Sequence, residues 1–280
     1  MAIFAKAKKS ESAEMSFLDH LEELRWHLVR SVVVIFALAI VFFINKDFLF
    51  NTIILAPKNA DFFTYKFMCK LSHLLQMGDT LCMNGLEFSL INTTLSGQFT
   101  LHMWAAFVAG IVVGFPYLVW EAWRFIKPAL TATEIGYSKG ILFFVSILFS
   151  IGVLFGYYLI APLSINFLGT YQVSSEVKNM IDMDSYISTI TVITFASGLL
   201  FELPIVVYFL SSLGIISPAF MKRYRKHAVV VILILAAVIT PSPDITSQLL
   251  VALPVYVLYE LSIFVSAYVV NKKQREGLEN

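Results

Sequence analysis

Apolar positions gather into six long runs, at residues 26–44, 99–119, 140–160, 186–210, 228–239 and 249–270, with polar stretches between them. About 20 apolar residues are needed for a helix to cross a typical hydrocarbon core. Five runs reach that length. The remaining one, AVVVILILAAVI at 228–239, would extend only about 18 Å as a helix and lies between KRYRKH and TPSPD. It fits either a short span in a locally thinned bilayer, the preferred reading, or half of a re-entrant hairpin with the run that follows. The pattern predicts an all-α integral membrane protein, six transmembrane helices in a single polytopic domain over residues 1–280.

The longest connection, residues 45–97, has its own periodicity. Phe62, Phe63, Phe67, Leu71, Leu74 and Leu75 recur at helical spacing, which predicts an amphipathic helix lying over the outer ends of the spans. Cys69 and Cys82, the only cysteines, both fall in this segment. They are either bridged, as an oxidising compartment allows, or left as two buried free thiols.

Composition agrees with the pattern: 58% of the 280 residues are apolar, 15% aromatic and only 14% charged, more apolar surface than a soluble core hides. The net charge of +1 gives no ground for a nucleic-acid partner. Residues 1–25 carry both signs and no cleavable apolar segment, so they read as a cytosolic tail leading into an amphipathic helix. With the N-terminus inside and six crossings, fifteen Lys and Arg fall on the cytosolic face and five (Lys46, Lys58, Lys66, Lys70 and Lys178) on the other. That asymmetry places both termini in the cytosol.

The chemistry sits at the cytosolic rim. SFLDHLEELRWHL, residues 16–28, puts Asp19, Glu22 and Glu23 at the mouth of the first span. Acids near a helix start favour the macrodipole, and Glu22 with Arg25 makes a weak surface pair, so a purely structural reading is available. FPYLVWEAWRFIKPALTATE, residues 115–134, follows the second span. Its aromatics fit as interfacial anchors, Thr131 and Glu134 as a capping box, and Glu121 as a partner of Arg124.

These stretches, together with FELP at 201–204, LGIISP at 213–218 and TPSPDITSQ at 240–248, resemble the TatC family, the multispanning receptor of the twin-arginine protein translocase. The resemblance covers almost the whole chain, and the motifs come in the family's order. It implies six helices with short fifth and sixth spans, in the bacterial inner membrane. It further implies that Glu23 and Glu134 bind the arginines of a signal peptide, with Glu22, Arg25, Glu121 and Phe125 in the same patch. Pro57, Glu202, Asp244 and Gln248 match positions tied to partner contacts or transport, and Glu260 is a weaker candidate of the same kind. The implied partners are twin-arginine signal peptides of folded preproteins and TatA-type and TatB-type single-span proteins, in an oligomeric complex driven by the proton-motive force. No cofactor, metal or catalytic residue is expected.

Elementary chemistry fits that implication. Adjacent arginines in an extended peptide point to opposite sides, so a receptor that requires both needs two carboxylate sites. A guanidinium offers a carboxylate a planar fork of donors where lysine offers a point charge. Glu202 lies in the fourth run, where a charged carboxyl costs about 2.5 to 3.5 kcal/mol on insertion scales. Pro204 beside it frees the carbonyl of Leu200, so a bend is expected there. Glu202 either hydrogen-bonds internally, to Ser197, Thr194 or another span, or serves as a polar docking point. A proton-coupled secondary transporter is the alternative function, but neither repeat symmetry nor paired broken helices are evident. HExxH and GxSxG are absent, which argues against a hydrolase. His102 is expected to be a buried, hydrogen-bonded histidine.

Overall fold

The computed structural model describes residues 17–74, 76, 78–79, 82, 89–129, 140–174, 176, 179–240 and 245–278. Ten helices order the described residues: α1 Phe17–Ile44, α2 Phe63–Leu74, α3 Gly97–Ile126, α4 Ile141–Phe155, α5 Ala161–Thr170, α6 Met183–Leu200, α7 Leu203–Ser212, α8 Pro218–Arg223, α9 Arg225–Ile239 and α10 Ile245–Leu278. A π-helical stretch, Gly156–Ile160, joins α4 to α5 without interruption, and a single turn at Phe201 and Glu202 separates α6 from α7. Two short strands, β1 Leu90–Ile91 and β2 Ile181–Asp182, pair in parallel, Leu90 with Ile181 and Ile91 with Asp182. They tie the long connection to the start of α6.

Five helical stretches are long and apolar enough to cross a membrane: Glu22–Ile44, Gly97–Ile126, Ile141–Thr170, Met183–Ser212 and Ser247–Arg275. Their outward faces are apolar, as Val33, Phe36, Ile40, Phe143, Leu253 and Phe264 illustrate, all well exposed. Such faces suit lipid rather than water. The short run became α9, 15 residues and about 22 Å long. The sixth run departs from expectation, because α10 has 34 residues. Its helix continues past the apolar segment through NKKQRE, whose lysines, arginine, glutamine and glutamate are good helix formers.

Small residues bring the helices together. A Cβ at Gly110 of α3 would lie 2.9 Å from the Ile35 carbonyl oxygen and the Ala39 nitrogen of α1. At Gly152 of α4 it would lie 2.6 Å from the Ser197 carbonyl of α6. Close backbone approach of this kind is a recurrent device for packing helices in lipid.

The end of the bundle covered by α2 has an irregular backbone with specific satisfiers. After α1 the chain runs through a π-helical segment, Phe48–Ile54, whose carbonyls need partners. Tyr157 donates to the Ile53 carbonyl at 2.6 Å, Tyr186 to that of Ile54 at 3.1 Å and Tyr65 to that of Pro57 at 2.8 Å. Burial raises the Tyr65 phenol's pKa, which keeps it a donor. Pro57 is itself fully buried. The helix expected in this segment is present as α2; of the expected stripe, Phe62 is buried just ahead of it and Leu75 lies outside the described residues. Its buried positions are Thr64, Tyr65 and Ser72, while Phe63, Phe67 and Leu74 face outward. The tyrosine hydroxyl wins the inner face because buried carbonyls require a donor, which phenylalanine lacks.

Candidate functional site

The packing of α1 on α3 leads to the site. Gly110, Gly114, Tyr117 and Glu121 recur at helical spacing along α3, the glycines against Ile35 and Ala39 of α1 and Glu121 against His27. Helical periodicity therefore carries Glu121 onto the inner face, where it is only 1% exposed. A buried carboxylate needs partners. Tyr117 donates to Glu121 Oε1 at 2.8 Å, His27 Nδ1 donates to Glu121 Oε2, and Arg124 Nη1 lies 3.6 Å from Glu121 Oε1.

The node sets what stands in front of it. One turn before His27, the Glu23 carboxylate lies 3.9 Å from His27 Nε2, and its side chain is 38% exposed. Glu23 thus leans on the node yet keeps acceptor capacity open at the surface. The Phe125 ring meets the His27 ring edge-on, with centroids 6.2 Å apart. Arg124 stacks over Trp120 at 4.9 Å. Glu22 and Arg25 form an exposed pair at 3.1 Å.

The sequence reading put Glu121 among the residues facing a peptide. The structure buries it against His27, where it joins the ends of α1 and α3. His27 was missed from sequence, although its four-residue spacing from Glu23 was a usable signal. Glu134 lies outside the described residues, as does Asp244.

The remaining polar positions are scattered. Glu202, 9% exposed, sits in the turn between α6 and α7, with Pro204 opening α7 as expected of a bent helix. Neither of its oxygens makes a hydrogen bond among the described residues, and the Phe149 backbone of α4 lies close by. Of the two alternatives for Glu202, the internal hydrogen bond to Ser197, Thr194 or another span is not formed among the described residues. Glu260 is engaged: Arg225 of α9 donates to it at 2.7 Å and Tyr256 at 3.0 Å. Gln248 donates to the Leu233 carbonyl at 3.0 Å and so ties α10 to α9. The His102 ring stacks on Phe43 at 4.1 Å, and its Nε2 is buried with no hydrogen-bond partner among the described residues. The expectation of a hydrogen-bonded histidine is replaced by an aromatic stack.

Spans with lipid-facing apolar surfaces, joined at one end by a charged node, define a multi-pass helical membrane protein. Residues 19–254 match the family model described as Sec-independent protein translocase protein (TatC). The chain belongs to the TatC family. It is 40% identical over 266 residues, 95% of this chain and all of the relative, to the Sec-independent protein translocase protein TatC of Blattabacterium sp. subsp. Periplaneta americana. To that of Deinococcus radiodurans it is 33% identical over 261 residues, 93% of this chain and 89% of the relative. The fold matches a crystal structure of the twin-arginine translocase receptor TatC with a TM-score of 0.62 and 26% identity, covering 90% of this chain and 99% of that one. The chain is thus a receptor subunit of the twin-arginine translocase and works within that complex. This replaces the alternative of a secondary transporter.

Proposed function

We propose that the α1–α3 end binds the twin-arginine signal peptide of a folded preprotein, with Glu23 taking one arginine and Glu134 the other. The observation that carries this reading is the partly exposed Glu23 carboxylate, which shares His27 with Phe125 and is backed by the His27–Glu121 node. Glu134 follows Phe125 by nine residues, so the chain that bears it departs from the same end of the bundle. Phe125 flanks the peptide, and Glu22 and Arg25 form the outer rim. Arg-Arg is preferred to Lys-Lys because a forked donor matches a carboxylate in two bonds.

In this reading the protein lies in the bacterial inner membrane, crosses it six times with α9 as the short fifth span, and keeps both termini in the cytosol. The excess of basic residues on one set of loops supports the orientation. TatA-type and TatB-type single-span proteins assemble with it in an oligomeric complex, and the proton-motive force drives export. Glu202, at a helix break and without a hydrogen bond among the described residues, suits a polar docking point for such a partner, and Asp244 is assigned to the same partner contacts. Pro57, Gln248 and Glu260 support the fold around these contacts.

Crosslinking of a twin-arginine peptide to the detergent-solubilised protein tests the assignment. Glu23→Gln and Glu134→Gln each reduce crosslinking sharply, as does an Arg-Arg to Lys-Lys exchange in the peptide. Unchanged crosslinking in both variants refutes it.

A further inference from the structure

At the opposite end, the loop after α2 gathers four metal-ligating side chains that take no part in the peptide site. Cys69 and His73 stand four residues apart on α2, on one face of the helix. The chain then turns back sharply, with left-handed backbone at Gln76 (φ 57°) and Gly78 (φ 62°). Ser72 donates to the Gly78 carbonyl at 2.6 Å, and the Cys82 amide donates to the Asp79 carbonyl at 3.0 Å. Asp79 and Cys82 are thereby folded onto Cys69 and His73, and one ligand atom from each of the four lies within 4.8 Å of the others.

Four of the six edges of this cluster are close to those of a tetrahedron around zinc. His73 Nε2 lies 3.7 Å from Cys69 Sγ, 3.8 Å from Cys82 Sγ and 3.4 Å from Asp79 Oδ1; Cys82 Sγ lies 3.6 Å from Asp79 Oδ1. Zinc–ligand bonds of about 2.0 to 2.3 Å at tetrahedral angles give ligand–ligand edges of about 3.3 to 3.8 Å. The sulfur–sulfur edge does not fit, because the structure joins Cys69 and Cys82 in a disulfide. Opening that edge requires reduction and rotation of the two cysteine side chains, which also shifts the sulfur edges given above. His73 and Asp79 are largely exposed, so an ion has a path in.

We propose that the dithiol form of this loop is a zinc site with Cys69, His73, Asp79 and Cys82 as its ligands, and that the disulfide and the metal are mutually exclusive states of the α2 cap. Two thiolates, an imidazole and a carboxylate favour zinc over the hard cations magnesium and calcium. The interconversion balances with a dithiol reductant. The protein disulfide gains two electrons and two protons and the reductant becomes a disulfide; zinc then displaces both thiol protons as its two sulfur bonds form. The sequence reading expected no metal, since the cysteines alone did not show that His73 and Asp79 close around them.

The test uses the full chain in detergent, reduced with a phosphine under anaerobic conditions, freed of reductant and titrated with cobalt(II) as a spectroscopic stand-in. One equivalent per chain gives thiolate-to-metal charge-transfer and tetrahedral ligand-field bands, zinc abolishes them, and the oxidised protein gives neither. His73→Ala and Asp79→Ala weaken binding by more than the about 10- to 100-fold that loss of an outer-shell partner costs. In native membranes, which hold the wild-type fold, zinc slows maleimide labelling of the two reduced thiols. Absence of the charge-transfer band in the reduced protein, or spectra and affinity unchanged by His73→Ala, overturns the proposal. Equal labelling with and without zinc does so as well.

Discussion

Glu121 and Glu202 are both buried carboxyls in apolar helices, and the molecule treats them in opposite ways. Glu121 faces a histidine, a tyrosine hydroxyl and an arginine, all drawn from α1 and α3. Glu202 faces α4 and makes no hydrogen bond among the described residues. A satisfied buried acid fastens two helices. An unsatisfied one costs stability, and both Glu202 oxygens are closed off in the turn ahead of Pro204. The same residue type is thus a fastener in one region and an unsatisfied acceptor in the other, and the difference lies in which helix faces it.

The largest expected effect comes from dismantling the fastener. Glu121→Ala leaves His27, Tyr117 and Arg124 without their buried partner and costs about 3 to 5 kcal/mol, read as a lowered thermal midpoint in detergent and as lost peptide crosslinking. Paired with His27→Ala in a double-mutant cycle, it shows a coupling of about 0.5 to 3 kcal/mol. Additive effects would mean that the node is not a unit.

Glu202→Leu runs the other way. Removing an unsatisfied buried polar group gains about 1 to 3 kcal/mol, while export of a twin-arginine reporter falls. A lower melting temperature would reveal a partner for Glu202 and erase the contrast with Glu121. Arg225→Ala gives the smallest change, because the Arg225–Glu260 pair is solvent-accessible. A pair of that kind is worth less than about 1 kcal/mol, and the loss should vanish in high salt.

Much of the architecture was readable along the chain. Hydrophobic run length alone located all five stretches long and apolar enough to cross a membrane, and the bend at Glu202 followed from Pro204. The extent of α10 did not, because an apolar run marks where lipid begins and ends, whereas helix propensity carries the helix on into water. Which face of α2 turns inward was not legible for a related reason. Periodicity shows that a helix has two faces, but the inner one was claimed by Tyr65, which serves a carbonyl eight positions away in sequence, at Pro57.

The site divides in the same manner. HLEELR and VWEAWRFIKPAL pointed to the rim, and Glu23 with Phe125 stands there. Glu121 looked like another surface acid until the glycines of α3 brought α1 close enough for His27 to cover it.

Local patterning decided that this chain spans a membrane, where its helices lie and which family it belongs to, because burial in lipid acts on each segment through its own run of side chains. Which acid is paired, which is left open, and which loop residues close around the two cysteines depended on contacts between segments tens of residues apart or across a folded-back turn. Those contacts exist only once the helices have packed, and no single stretch of sequence contains them.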